Sequence, residues 1–483
     1  MAQITVIGLG PGAPEQLTRE AWEALSQAEA VWLRTAHHPV VPHLPHGPLV
    51  RSFDDLYEKA DSFEAVYAAI VEKILAWGSR QEGVVYAVPG HPLVGESTVT
   101  RILQEARAVG IPVHIVPGLS FIEPTLTALS LDPLDGLQMV DALSLVGTDY
   151  PIINPDVPAL IAQVYSRVVA SELKVMLMEV YPDEHAVALV HAAGTTAEAV
   201  IWGPLYEIDH RDATPLTSLY VPPLPAVGGF EQFQETVAHL RSPEGCPWDR
   251  EQTHASLRAA LLEETYEVLA AIDADDMEAL REELGDLLLQ VVMHVQIASE
   301  EGEFRMADVI AGIDAKLKHR HPHVWGDVQV ANAQEVTVNW EIIKRQERVD
   351  NGAAQRSLLD GVPLTLPALA QAGAYVSRAA RVGLDWMPTE AVIAQVKESV
   401  GVLAQVQTSQ ERAPALGDLL LLLATWSRRL GLDPEEALRE ANARFARRLR
   451  YVEQTAQQQG IPLETMCPEE KQRLWEEAAQ SSA

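Results

Sequence analysis

Two cysteines, Cys246 and Cys467, are all that a chain of 483 residues carries. They cannot form a disulfide framework, and a reducing cytoplasm is the natural compartment. Positive charge is scarce as well. Lys plus Arg number 36 against 68 Asp plus Glu, a formal net charge of −32. A field of that sign argues against nucleic acid as a partner and against an anionic membrane surface. It admits a small anionic substrate, provided a divalent cation comes with it. Long apolar runs are missing too. The longest, "LLLLLATW" at 419–426, is too short to span a bilayer. The start, "MAQITVIGLG", lacks the basic residues of a secretory signal and goes straight into a strand-like run. These absences lead to the expectation of a soluble cytoplasmic protein, with length for about three domains.

What is present changes character along the chain. Up to residue 222, β-rich runs bounded by Gly or Pro alternate with helical patterns. "ITVIGLG" (4–10), "GVVYAVPG" (83–90), "PVHIVPG" (112–118), "VMLMEV" (175–180) and "SLYVPP" (218–223) read as strands. "PEQLTREAWEALSQA" and "FEAVYAAIVEKILAWG" read as helices. The alternation predicts an α/β region with a largely parallel sheet. "VPPLPAVGG" (221–229) reads as a linker, after which helical periodicity runs to residue 478. A polar break, "QERVDNGAAQRS" (346–357), splits this all-α half, giving domains at 1–222, 223–350 and 358–478. The two helical parts look like a duplication. "ELGDLLLQVV" (283–292) is echoed by "ALGDLLLLLA" (415–424), and "IDAKLKHR" (313–320) by "ANARFARR" (441–448).

The first helical copy sets acids into an apolar run, "LLEETYEVLAAI" at 261–272. Glu263 and Glu267 share a helix face, while Glu264 falls on the stripe of Leu257, Leu261 and Val268 and should point inward. The next helix carries Glu283 and Asp286, three apart and again on one face. "DADD" (273–276) reads as the turn between them, with Asp275 and Glu278 spaced as a capping box. The acid pairs lie at mirrored distances from that turn, so an antiparallel hairpin brings them level. Facing carboxylates repel unless a cation lies between them, and oxygen-only ligands suit Mg²⁺ or Mn²⁺. The duller alternative, a solvated acidic seam, stays open. Downstream, Lys316 and Arg320 stand at i and i+4, as do Trp340 and Lys344. Cations fit phosphate groups and an indole stacks on a base or ribose. Taken singly, the cations also fit a solvated face and the indole a core.

The segments "RSPEGCPWDREQTHASL", "LLEETYEVLAAI", "EELGDLLLQVVMHVQIA", "KHRHPHVWGDV" and "NWEIIK", within about 240–345, resemble the MazG family of nucleoside triphosphate pyrophosphohydrolases. The resemblance implies an all-α fold, a dimer or higher assembly, and Mg²⁺-dependent cleavage of an NTP into monophosphate and pyrophosphate. By position it implies that Glu263, Glu264, Glu267, Glu283 and Asp286 hold the metal. It also implies that Lys316, Arg320, Trp340 and Lys344 handle the triphosphate and nucleoside, with Glu263, Glu264 and Lys316 in catalytic roles. The second copy departs from this pattern. Ser399, Val402 and Ala415 stand where Glu264, Glu267 and Glu283 stood, and only Glu398 and Asp418 keep an acid. The expectation is a catalytically dead copy serving as a structural partner, in place of a second subunit or beside one.

In the N-terminal half, "VIGLGPG" satisfies G-x-G-x-x-G/A through Gly8, Gly10 and Ala13. As a dinucleotide fingerprint it is incomplete: no acid follows the next strand-like run, "AVWLRT", although Arg34 would suit a phosphorylated dinucleotide. "YAVPGHPLVGEST" (86–98), "VPGLSFIEPTLTAL" (116–129) and "WGPLYEID" (202–209) instead resemble the tetrapyrrole methylases, over residues 1–222. That resemblance implies two α/β lobes with S-adenosylmethionine between them, against Pro89, Gly90, His91, Gly95 and Gly118. The family's usual G-D-P is here Gly90-His91-Pro92. The whole order resembles the YabN-type fusion proteins. The leading expectation is an NTP pyrophosphohydrolase. A methyltransferase with a regulatory helical half, and a nucleotide sensor without turnover, are the two alternatives.

Overall fold

The computed structural model of the chain describes residues 2–481 apart from 61, 351–356, 386, 406 and 407. The chain divides into two compact units, Met1–Val309 and Ile310–Ala483.

The first unit opens with a sheet of β1 (Ile4–Gly8), β2 (Ala30–Leu33), β3 (Leu49–Ser52), β4 (Val84–Val88) and β5 (Val113–Val116). Its order is β3-β2-β4-β1-β5, parallel throughout. Helices α1 (Arg19–Gln27), α2 (Asp54–Lys59), α3 (Phe63–Gly78) and α4 (Ser97–Val109) lie in the connections. Strand alternation decides which helices each apolar residue meets. Ile4, Val6, Tyr86 and Val88 share one buried cluster with Val66, Ile70 and Ile74 of α3 and with Val99 and Ile102 of α4. Ile7, Leu9 and Ala87 join Ala21 and Leu25 of α1 in another. Because both faces are covered, the central strands read as continuous apolar runs, which is how the sequence exposes β1 and β4.

After α5 (Ile122–Leu129) comes a second sheet of β6 (Gln138–Asp141), β7 (Ala159–Ala162), β8 (Ala186–His191), β9 (Ala199–Pro204) and β10 (Thr217–Val221). Its order is β6-β7-β10-β8-β9, and only the β6–β7 pair is parallel. The expected largely parallel sheet therefore describes the first lobe and not the second. A short helix, α6 (Ala142–Val146), precedes β7, and α7 (Arg167–Met178) covers the sheet. "VMLMEV" needs correcting: most of it is the last turn of α7, not a strand. Val169, Ala170, Leu173 and Leu177 are buried at helical spacing, and the Ser166 hydroxyl caps the helix by accepting from Val169 N–H. So short an apolar run does not by itself distinguish a buried helix end from a strand.

The "VPPLPAVGG" linker is pinned to the second lobe. The two Asp156 carboxylate oxygens accept from Gly228 N–H and Gly229 N–H, each at 2.8 Å. Gly229 then starts α8 (Phe230–Arg241), followed by α9 (Pro247–Glu251) and a hairpin of α10 (Arg258–Ala274) and α11 (Met277–Glu300). Asp275 closes α10 in the left-handed region, φ 53°. Asp276 caps α11, its side chain accepting from Glu278 N–H and Ala279 N–H at 3.1 Å each. The cap thus sits one residue beyond the Asp275 expected, because Asp275 is taken up in ending α10. Helix α11 buries Val292, Met293, Val295 and Ile297 against Val237 of α8 and Leu257.

Helix α12 (Met306–Arg320) carries the chain into the second unit, followed by α13 (Pro322–Trp325) and α14 (Ala333–Asp350). Then come α15 (Ala368–Arg381), α16 (Thr389–Gln405), α17 (Ser409–Arg429), α18 (Pro434–Gln458) and α19 (Pro468–Ser481). The order hairpin, long helix, final helix occurs first as α10, α11, α12 and α14. It recurs as α16, α17, α18 and α19, in line with the echoed segments. The polar break begins later than expected, since α14 continues to Asp350; residues 351–356 lie outside the described residues. Among the described residues, no helix is long and apolar enough to cross a membrane.

Candidate active site

In the first hairpin, carboxylate oxygens of Glu264, Glu267 and Glu283 all lie within 4.8 Å of one another. The helical period explains the meeting. Glu264 sits between half-buried Leu261 and Val268 and is itself half-buried, and Glu267 is its i+3 neighbour. Burial first, then the charges of Asp286, Glu267 and Glu283, push the Glu264 carboxyl above the ordinary carboxylate range. Glu283 moves the same way, through burial and then Glu267, Glu282 and Asp286. Asp286 thus acts on both. Glu263 is exposed and figures in neither set. Three of the five acids expected to bind metal therefore meet, and Asp286 lies near enough for its charge to act on two of them. Such a cluster wants either protons or a hard cation, and its oxygen-only donors fit Mg²⁺ or Mn²⁺.

In the second unit, Arg320 donates through Nε and Nη2 to Glu347, with a shortest distance of 2.6 Å. Its guanidinium carbon lies 5.5 Å from the centre of the Trp340 ring, and Lys344 Nζ lies 4.3 Å from it. Helices α12 and α14 so bring together Arg320, Trp340 and Lys344. Lys316, one turn before Arg320, is exposed, and its charge contributes to Glu347. The hydrogen bonds from Arg320 hold the Glu347 carboxyl below the ordinary range, against some burial. Glu347 escapes sequence reasoning because it lies in the stretch read as a polar break. In the second copy, Trp475 meets the Phe445 ring edge-on at 5.0 Å and packs with Val452, Ala456 and Leu474. Its residual acids, Glu398 and Asp418, are both exposed.

Between the two lobes lies a cavity of about 200 Å³ whose lining includes Pro89, Gly90, His91 and Gly95. Gly118 is not part of that lining; a Cβ there would stand 2.6 Å from the Gly90 carbonyl oxygen and 2.8 Å from Gly8. Gly10 and Gly90 exchange backbone hydrogen bonds of 3.2 and 2.8 Å, so the loops after β1, β4 and β5 pack backbone on backbone. Arg34 does not present itself to a dinucleotide phosphate: it is tied to the buried Glu96 at 2.5 Å. Burial works against the Arg34 charge, but Glu96 and then Tyr57 and Tyr67 outweigh it and keep the guanidinium protonated. His38, which no motif singles out, also lines the cavity and is 6 % exposed. Burial pushes its pKa down to about 4, against a hydrogen bond with the Gly10 backbone.

A two-lobed α/β domain followed by a helical hairpin with a carboxylate cluster defines a methylase-type fold joined to a nucleotide-hydrolase type. The family model of the tetrapyrrole (corrin/porphyrin) methylases matches residues 3–209, and that of the MazG nucleotide pyrophosphohydrolase domain matches residues 252–325. The uncharacterized protein YabN of Bacillus subtilis is 41 % identical, over 99 % of this chain and 99 % of its own. The nucleoside triphosphate pyrophosphohydrolase of Escherichia coli K12 is 42 % identical over 51 % of this chain and 96 % of its own. That of Thermotoga maritima, a nucleoside triphosphate pyrophosphohydrolase/pyrophosphatase MazG, is 40 % identical over 52 % and 95 %. Among solved structures, uroporphyrin-III-C-methyltransferase from Thermus thermophilus aligns with 46 % of this chain and 92 % of its own, at 23 % identity and a TM-score of 0.37. The chain belongs to the YabN family, and in it a region matching the tetrapyrrole methylases precedes one matching the MazG domain.

Proposed function

We propose that the helical half hydrolyses nucleoside triphosphates to monophosphate and diphosphate with Mg²⁺ or Mn²⁺, clearing noncognate nucleotides. The observation that carries this reading is the meeting of Glu264, Glu267 and Glu283, with Asp286 acting on two of them. These four would hold the ion. When bound, it supplies charge neutralisation of the triphosphate and an acidified water. Glu263, outside the cluster, has the least geometric support as a ligand. The resemblance would give Lys316 and Arg320 the phosphates, Arg320 first leaving Glu347, and would give Trp340, with Lys344 beside it, the nucleoside. The hairpin leaves Leu262, Tyr266, Leu284 and Leu288 exposed, which favours a homodimer.

A product assay over an NTP panel, with and without Mg²⁺, tests the reading. Diphosphate release that Glu264→Gln or Asp286→Asn abolishes supports it. Tight NTP binding with no product would make the protein a sensor instead. For the lobes we propose S-adenosylmethionine as cofactor, against the backbone of Pro89, Gly90, His91 and Gly95. Open space at Gly90, where a Cβ would meet nothing within 4 Å, favours it, and calorimetry with S-adenosylhomocysteine tests it.

A further inference from the structure

Between α12 and α14 a single carboxylate stands among cations. Arg320 donates through Nε to both oxygens of Glu347 at 3.2 Å each, and through Nη2 to Oε2 at 2.6 Å. The two side chains are 17 % and 24 % exposed, so the pair lies between interior and surface. The charges of His319 and Lys316 also act on Glu347. Trp340 stands beside the pair, with the Arg320 guanidinium carbon 5.5 Å and Lys344 Nζ 4.3 Å from its ring centre. In a chain of net charge −32, such a gathering of cations invites an anion, and here the chain supplies its own.

The Nε–Nη2 edge of a guanidinium fits two oxygens of one acid, and a carboxylate and a phosphate compete for it with the same geometry. One edge cannot serve both at once. A triphosphate brings several charged groups to these cations and outcompetes a single carboxylate; a shorter product brings fewer and yields to it. Glu347 keeps water within reach, so leaving Arg320 strands no charge in the interior. The repeat offers a comparison. The echo of "NWEIIK" (339–344) in "LWEEAA" (474–479), carried three residues further, puts Ser482 at the place of Glu347, while the echo at 441–448 puts Arg448 at that of Arg320. On that register the carboxylate goes with the copy that keeps its metal acids.

We propose that Glu347 is a built-in competitor for the phosphate chain: it holds Arg320 in the empty site, yields it to a nucleoside triphosphate, and reclaims it as the shorter products leave. Glu347 is a positioning residue, acting through Arg320 and not on the reacting atoms. The proposal rests on reading Arg320 as a phosphate ligand of a nucleoside triphosphate hydrolase. Its consequence is a site that binds substrate less tightly than its cations alone would, and that is correspondingly less inhibited by diphosphate.

The test compares the full chain with Glu347→Gln, Glu347→Ala and Asp314→Asn. The last removes an equal charge from α12, at an exposed position paired with Lys318. Product release gives KM for whichever triphosphate of the panel is turned over fastest, and the inhibition constant of diphosphate. Calorimetry with inorganic triphosphate in EDTA is read alongside, because it needs neither metal nor turnover. Both Glu347 variants should lower KM and the diphosphate constant about fivefold and tighten inorganic triphosphate by as much, with kcat no higher. Asp314→Asn should move each by less than about twofold. A fall in KM cannot come from damaged folding, which lowers kcat or raises KM. Absence of turnover in every protein would sink the hydrolase reading alone, and calorimetry would still decide the proposal. Inorganic triphosphate that the Glu347 variants bind no more tightly than the wild type would overturn it. So would equal tightening in Asp314→Asn, which would reduce Glu347 to one negative charge among many.

Discussion

Acidification should weaken the N-terminal lobes through His38. The imidazole is 6 % exposed and its pKa is pushed from an ordinary 6.5 to about 4 by burial. A depressed pKa in the folded state means that the unfolded chain binds the proton first. The stability is therefore fully present above the unfolded value and is lost as the pH falls through the window down to about 4. Between about pH 7.5 and about pH 5 the loss comes to ~2 kcal/mol. Hydrogen exchange of the full chain, read on peptides covering β1 and β4, measures the opening of that lobe at each pH. The comparison is with His38→Asn, which cannot titrate. His191 and His294, whose pKa values are also lowered by burial, contribute equally to both proteins and drop out. The expected outcome is a steeper loss in the wild type by about that amount. Parallel pH profiles for the two proteins would refute the claim that His38 is held neutral by burial.

Gly118→Ala should destabilise the first lobe by about 1–3 kcal/mol in thermal unfolding, because its Cβ must displace backbone rather than a flexible side chain. A neutral effect would show that the three loops are looser than their contacts imply. Trp340→Ala and Trp475→Ala should separate function from packing. The first should raise KM for the nucleotide with little change in melting temperature. The second should lower stability by on the order of 2 kcal/mol without touching KM, since Trp475 packs in an apolar cluster.

The legible parts of the fold were those where one local rule dominated. Strands β1 and β4, buried on both faces, read as apolar runs, and α3 read correctly from Phe63 to Gly78. The second sheet was harder because β6 and β9 have no fully buried positions to betray a pattern, and because α7 ends in a run as apolar as a strand. The carboxylate cluster was legible since a two-residue turn transmits helical period across a hairpin. The cavity was not. Arg34, His38 and Glu96 are spread over 62 residues, and only the pairing of β1, β2 and β4 brings their loops together. His38 carries no sequence signal: a buried neutral imidazole and an exposed one look alike in a string.

The two hairpins also decide what the glutamates are for. Helices α16 and α17 also follow one another as a helical pair, and the alignment on the echoed segments puts Ser399, Val402 and Ala415 at the places of Glu264, Glu267 and Glu283; on that alignment the fold would not require those carboxylates. In the first copy the Glu264 and Glu283 carboxyls are pushed above the ordinary range by burial and by the neighbouring acids, the direction that opposes stability at neutral pH. A carboxyl whose folded pKa is raised weakens the fold once the pH exceeds its unfolded value, and the penalty fades as acid protonates it. Glu264→Gln removes one charge from the cluster while keeping the shape. In EDTA at neutral pH the variant should therefore melt above the wild type, and the gap should narrow as the pH falls toward the carboxylate range. Adding Mg²⁺ should raise the wild type and leave the variant nearly unmoved, inverting the order, since an ion that binds only the folded state stabilises by mass action. Differential scanning calorimetry of both proteins under these conditions reads this directly. A variant less stable than the wild type in EDTA would show that Glu264 holds the hairpin together, and the division of labour between fold and chemistry would fail.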